Sequence, residues 1–227
     1  MRVPAWATAK ILCLGIAMPF VMFSESSATA RVVARVDPVA IPVSKVARSF
    51  ADWVATSGDG GGLPFVIVDK ENAGVLVFYG DGRLRGTTPA LLGLARGDDT
   101  VPGIGQRKLS SITPGERTTP AGRFVSSLGN DLGPKNVVWV DYDAAISLHR
   151  VITSNRKERR LQRLATVSTL DNRISYGCIN VPAKFYDTVV QPTFTGTSGI
   201  VYILPEVRSI RNVFPTYEVD KQVQASN

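Results

Sequence analysis

Between Pro64 and Tyr79 two apolar runs flank a four-residue turn, and this pattern restricts the fold more than any other stretch. Phe65-Val66-Ile67-Val68-Asp69-Lys70 reads as a strand, Glu71-Asn72-Ala73-Gly74 as a turn and Val75-Leu76-Val77-Phe78-Tyr79 as a second strand, with another turn at Gly80-Asp81-Gly82. Branched and aromatic side chains in short runs suit a pleated surface, and the intervening turn joins them as a hairpin. More strand-like segments follow at Gly122 to Leu128, Val137 to Asp141, Ala145 to Thr153 and Ile200 to Leu204. The chain is therefore mostly β.

Helices are few and short. Ser44 is placed to cap a helix through about Ala55, with Val46, Phe50, Trp53 and Val54 toward one side. A strongly basic helix is expected over Arg156 to Ala165. Another should start at Pro182 and run through Val190. The tail, Arg208 to Asn227, has weak patterning and reads as partly disordered. A chain of 227 residues with 44% hydrophobic content supports one domain with a substantial core plus short extras. The expected organisation is a signal peptide over 1–30, an extension with a short helix and a Gly-rich linker over 31–62, a main domain over 63–206 and a tail over 207–227.

Met1 to Ala30 has the parts of a secretory signal: Arg2 and Lys10 at the start, an apolar run from Ile11 to Phe23, and the small-x-small site Ala28-Thr29-Ala30. Cleavage there would leave Arg31 as the mature N-terminus and remove Cys13, one of only two cysteines. Cys178 then has no intrachain partner, although exported proteins usually pair their thiols. One His and one Cys cannot fill a tetrahedral zinc site unaided, so neither metal nor cofactor is expected. Losing Arg2, Lys10 and Glu25 lowers the formal charge from +7 to +6. For an exported chain that charge suits a polyanionic wall or an anionic membrane surface. No basic run interleaved with aromatics marks a nucleic-acid face.

The chemistry-bearing residues are Cys178, in Ser175-Tyr176-Gly177-Cys178-Ile179-Asn180, and His149, the chain's single histidine, 29 residues upstream. A thiolate attacks and an imidazole takes the proton; that division of labour needs one residue of each type. Gly177 permits a sharp bend before the nucleophile that can aim N–H groups at an oxyanion, and Asn180 can brace the loop. The competing reading is a buried core cysteine beside Ile179 and Val181. Strand alternation puts His149 on one face with Ser147, and Ile146, Leu148 and Arg150 on the other.

Thr118-Thr119-Pro120-Ala121-Gly122-Arg123-Phe124, then a histidine, then Ser-x-Gly-Cys-x-Asn, resembles the L,D-transpeptidase catalytic (YkuD) domain over about Pro64 to Leu204. The resemblance implies a β-sandwich of mixed sheets with a few short peripheral helices. It implies Cys178 as nucleophile and His149 as its activator, the ring held by a backbone carbonyl at Arg150. Ser175, Gly177 and Asn180 match the motif loop, with N–H groups of Gly177 and Cys178 in the oxyanion hole. The implied substrate is a peptidoglycan stem tetrapeptide, which loses its terminal D-alanine and passes to an amine as a 3→3 cross-link. Some members use water, an amino acid or a wall-anchored protein's lysine as acceptor, and carbapenems acylate the cysteine in many. The chain would work in the periplasm or cell envelope as a monomer, with no nucleic-acid partner.

Two departures stand out. The family usually has His where this chain has Tyr176, and the stretch between His149 and Ser175 is longer than usual, holding the basic segment Arg156 to Leu164. That segment is either a solvated helical face or a lid that grips carboxylates of the wall peptide. Arg123, Arg150 and Arg173, close to motif residues, are further candidates for substrate contact, together with Ser175, Tyr176 and Asn180. The alternatives to transfer are an L,D-carboxypeptidase or other peptidoglycan hydrolase of the same fold, or a non-catalytic wall-binding module.

Overall fold

A computed structural model describes residues 43–130 and 135–217. The expected signal segment, most of the 31–43 stretch and the last ten residues of the tail lie outside the described residues.

Among the described residues ten strands carry the fold: β1 (Phe65–Asp69), β2 (Gly74–Phe78), β3 (Leu84–Pro89), β4 (Leu92–Gly93), β5 (Gly122–Asn130), β6 (Asn136–Asp141), β7 (Ile146–Arg150), β8 (Arg173–Ser175), β9 (Ile179–Val181) and β10 (Gly199–Ile203). Eight form one mixed sheet in the order β3-β2-β1-β10-β5-β6-β7-β9, and β4 pairs with β8. β5 bends the sheet: Gly122 to Ser126 pair with β10, and Ser127 to Asn130 with β6. A bridge between Leu91 and Asn180 ties β9 to the chain just past β3, so the sheet nearly closes on itself. This is the mainly β, mixed-sheet architecture with short peripheral helices that the sequence leads one to expect. β3, β4, β8 and β9 were not foreseen, because they are two to six residues long and lack apolar alternation. β3 ends in Pro89 and lies at the sheet edge, where proline does not break a ladder.

Alternation along β1, β2 and β10 separates two cores. Val66, Val68, Val75, Val77, Val201 and Ile203 face inward, against Val138, Ile146, Leu148, Ile179 and Val181 from the other half of the sheet. Phe65, Ile67, Leu76, Phe78, Ile200 and Tyr202 face the opposite way, beneath α1 (Lys45–Ser57). Covering on both faces explains why β1, β2 and β10 are apolar runs.

Ser44 caps α1 by accepting the Ala47 N–H at 3.0 Å, and Gly58, in the left-handed region, ends it. The buried stripe is Ala47, Phe50, Ala51 and Val54, whereas Val46 is exposed. Small alanines, rather than Val46, let the helix lie close to the sheet. The helix after Pro182 continues beyond Val190: α3 (Ala183–Phe185) passes through a π turn (Tyr186–Val190) into α4 (Gln191–Phe194). The wider turn precedes Pro192, which has no N–H to continue a normal ladder. The expected basic helix is broken. A 3₁₀ turn (Arg156–Glu158) and α2 (Arg160–Ala165) are separated by Arg159 at φ 50°. The tail is packed through Tyr217: after α5 (Ile210–Val213), the Phe214 and Tyr217 rings lie tilted against Phe50, with centroids 4.8 and 5.1 Å away. The N-terminal helix and the start of the tail thus share one apolar cluster with the sheet.

Candidate active site

β7 and β9 run parallel, with Leu148 opposite Ile179 and His149 opposite Asn180. One step back, Cys178 lies beside Ser147. Leu148 and Ile179 point into the core, so alternation turns Ser147, His149 and Cys178 to the other face. A parallel pair needs a crossover; residues 151–178 supply it, which is how two residues 29 apart become neighbours.

Cys178 is partly exposed as a residue. Its sulfur lies 3.6 Å from Ser147 Oγ and 3.5 Å from the Ala145 carbonyl, which accepts from the thiol. His149 hydrogen-bonds the sulfur. His149 Nδ1 lies 2.7 Å from the Arg150 carbonyl; a carbonyl only accepts, so Nδ1 carries the proton and Nε2 is left to act toward the thiol. Burial pushes the thiol up. The hydrogen bond and charge of His149, joined by the Ser147 N–H and hydroxyl, outweigh it and hold the thiol below its ordinary value. The arrangement can generate a thiolate and shuttle its proton.

The loop before the sulfur is held by a closed set of bonds. Ser175 Oγ donates to the Cys178 carbonyl at 2.6 Å and accepts the Gly177 N–H at 3.1 Å. Thr119 Oγ1 donates to the Gly177 carbonyl at 2.8 Å. Asn180 Nδ2 donates to the Cys178 carbonyl at 3.1 Å. Gly177 has φ 129°, and a Cβ there would meet Ile146 Cδ1 at 2.5 Å and the Thr118 carbonyl at 2.6 Å, so only glycine fits.

These contacts alter several expected roles. The Gly177 N–H donates to Ser175 Oγ, so of the two N–H groups expected at an oxyanion it is the one already engaged. Ser175 and Asn180 are buried, and their polar atoms bond within the loop and to Arg160, which fixes the backbone around Cys178. Arg123 is not brought to the sulfur: it pairs with Asp59 at 2.8 Å on the α1 side of the sheet and stacks on Tyr202. Arg150 joins β7 to the π turn through Asp187 (2.6 Å), Gln191 and the Tyr186 ring. Arg173 is held by Glu206 at 2.5 Å and the Lys70 carbonyl at 2.8 Å. Each of the three guanidinium groups already holds a carboxylate or carbonyl partner within the fold. Tyr176 remains partly exposed beside the nucleophile, with the Arg117 guanidinium 3.9 Å above its ring.

Two residues gained roles that their types alone do not signal. Thr119 links the Thr-Pro motif to the nucleophile loop. Ser147 touches the sulfur, and its shared face with His149 was the one sequence clue to it. The Ser147→Ala protein is expected to keep its fold and to alkylate with iodoacetamide about three- to tenfold more slowly at neutral pH, since one hydrogen bond to the thiolate is lost. An unchanged rate would remove Ser147 from the site.

No family model and no curated protein matches this sequence. Solved structures do. The helical cell shape determining protein Pgp2 from Campylobacter jejuni aligns at 15% identity and TM-score 0.42, over 71% of this chain and 57% of that one. An L,D-transpeptidase from Mycobacterium smegmatis aligns at 16% identity and TM-score 0.34, over 62% and 58% of the two chains. The catalytic domain of the E. faecium L,D-transpeptidase aligns at 21% identity and TM-score 0.34, over 62% and 95%. The chain spans less than three fifths of the length of Pgp2. Solved structures to which this chain is similar thus include L,D-transpeptidases and a cell-shape protein.

Proposed function

We propose that this chain is a cysteine acyltransferase of the L,D-transpeptidase type, acting on peptidoglycan stem tetrapeptides without a cofactor in the periplasm or cell envelope. One observation carries the reading: the Cys178 thiol meets a His149 ring whose tautomer is fixed by the Arg150 carbonyl. In the proposed reaction His149 Nε2 accepts the thiol proton, and the thiolate attacks the carbonyl on the L-centre of the diamino acid. The Cys178 N–H faces the oxyanion. As the tetrahedral intermediate collapses, the C–N bond breaks and His149 returns the proton to the departing D-alanine amine. An acceptor amine then attacks the thioester, its proton passes to His149, and the thiolate is released. Water in place of the amine would give hydrolysis.

The test is incubation of the purified protein with disaccharide-tetrapeptide, followed by mass spectrometry of protein and products. The expected result is D-alanine release, a transient acyl adduct on Cys178 and cross-linked dimers. Tripeptide alone would assign hydrolysis. Absence of both product and adduct would refute the reading.

A further inference from the structure

The broken basic segment is largely solvated, with Arg156, Lys157, Arg159, Leu161 and Gln162 exposed, and its break gives it a concave side. With the chain leaving β7 it borders an open cleft of about 400 Å³ lined by Thr153, Asn155, Arg156, Arg159, Arg160, Leu161 and Gln162. No carboxylate lines it. Arg156 and Arg159 are exposed, and among the described residues no carboxylate pairs with either. Arg160 is the half-neutralised member, with Nε donating to Glu158 at 2.5 Å. Guanidinium groups gathered in a concave surface repel one another until an anion lies between them, and their planar forks match carboxylates.

The cleft is also wired to the nucleophile. Arg160 Nη1 donates to Asn180 Oδ1 at 2.8 Å, and Asn180 Nδ2 donates to the Cys178 carbonyl at 3.1 Å. Two hydrogen bonds therefore separate the cleft wall from the residue that bears the sulfur. Thr153 lies only four residues beyond His149. A peptide anchored in the cleft would extend past both.

We propose that this cleft is a carboxylate-binding subsite that seats an acidic peptide beside Cys178, with Arg156 and Arg159 as its principal contacts. The proposal rests on the acyl-transfer reading for the identity of the peptide, and on the geometry alone for the chemistry bound.

The test uses the full chain carrying Cys178→Ala, so that binding is read without turnover. Calorimetry compares disaccharide-tetrapeptide with free carboxylates against the same molecule with its carboxylates amidated. The free acid should bind about tenfold or more tightly, and added salt should erode that preference. Adding Arg156→Gln and Arg159→Gln should abolish the preference while the melting temperature holds, since both side chains are exposed. An equal preference in that variant, or equal binding of the two peptides to the parent, overturns the proposal. If the native chain releases no D-alanine yet the preference exists and is lost with the two arginines, the subsite stands and the transfer reading falls.

Discussion

The His149→Ala protein should lose turnover of the stem tetrapeptide by about 10²–10⁴-fold, and its thiol should titrate upward. In the folded protein burial alone would raise the thiol; the His149 hydrogen bond and charge are the largest opposing influences, ahead of those from Ser147. Removing the ring leaves burial opposed only by Ser147. The sign is therefore fixed: the midpoint of alkylation rate against pH moves to higher pH, and the rate at neutral pH falls because less thiolate is present. Iodoacetamide trapping followed by intact-mass measurement gives the profile, and circular dichroism checks the fold. Cys178→Ala should give neither adduct nor product. A His149→Ala profile that overlays the native one would show that the ring does not govern the thiol, and the proposed couple would fail.

That couple was partly legible in the chain and partly not. A single imidazole and a motif-borne thiol stand out by type, and the period-two pattern of Ile146 to Val151 assigns His149 and Ser147 to one face. Sequence does not give the partner strand: β9 is three residues long, and its parallel register with β7 depends on how the 151–178 crossover folds. The hairpin and α1 were readable because local alternation, a capping Ser44 and a stopping Gly58 specify them without long-range help. The arginines show the converse limit. An arginine near a motif looks available for substrate, but whether its fork is free depends on distant carboxylates. Glu206 takes Arg173 from 33 residues away, and Asp59 takes Arg123 from 64. Phe214 and Tyr217 were missed because two aromatics in a polar tail form no period; their value lies in reaching Phe50 across the chain.

The same blindness hid Lys70, whose replacement should have the largest effect on stability. Lys70 is fully buried, and its ammonium donates to the Gly97 carbonyl (2.6 Å), Asp98 Oδ1 (2.8 Å) and the Thr119 carbonyl (2.9 Å), with Glu206 Oε1 at 3.7 Å. Burial depresses its pKa, while Asp98 and Glu206 favour the charged form. In the Lys70→Met protein two buried carboxylates lose their shared cation, with only Arg173 and partly exposed arginines remaining nearby. Breaking such a set from one side costs about 3–5 kcal/mol, a fall in melting temperature on the order of 10 °C. The pH dependence is specific. Burial pushes Asp98 up, but the N–H groups of Arg208 and Glu206 and the Lys70 ammonium bind its charged form and hold it at about 2, against 3.8 when free. A carboxyl depressed in this way stabilises the native fold above its unfolded value, and that contribution fades as pH falls from about 4 toward 2. Without Lys70 the Asp98 carboxyl rises, so protonating it relieves rather than harms the variant. The stability gap between native and Lys70→Met proteins should be widest near neutral pH and narrow toward pH 3. Because Lys70 also holds the Thr119 carbonyl, and Thr119 Oγ1 holds the Gly177 carbonyl, alkylation of Cys178 should slow in the still-folded variant. Urea unfolding from pH 7 to pH 3 measures the gap, and a gap constant across that range would show that Lys70 does not govern the buried charges.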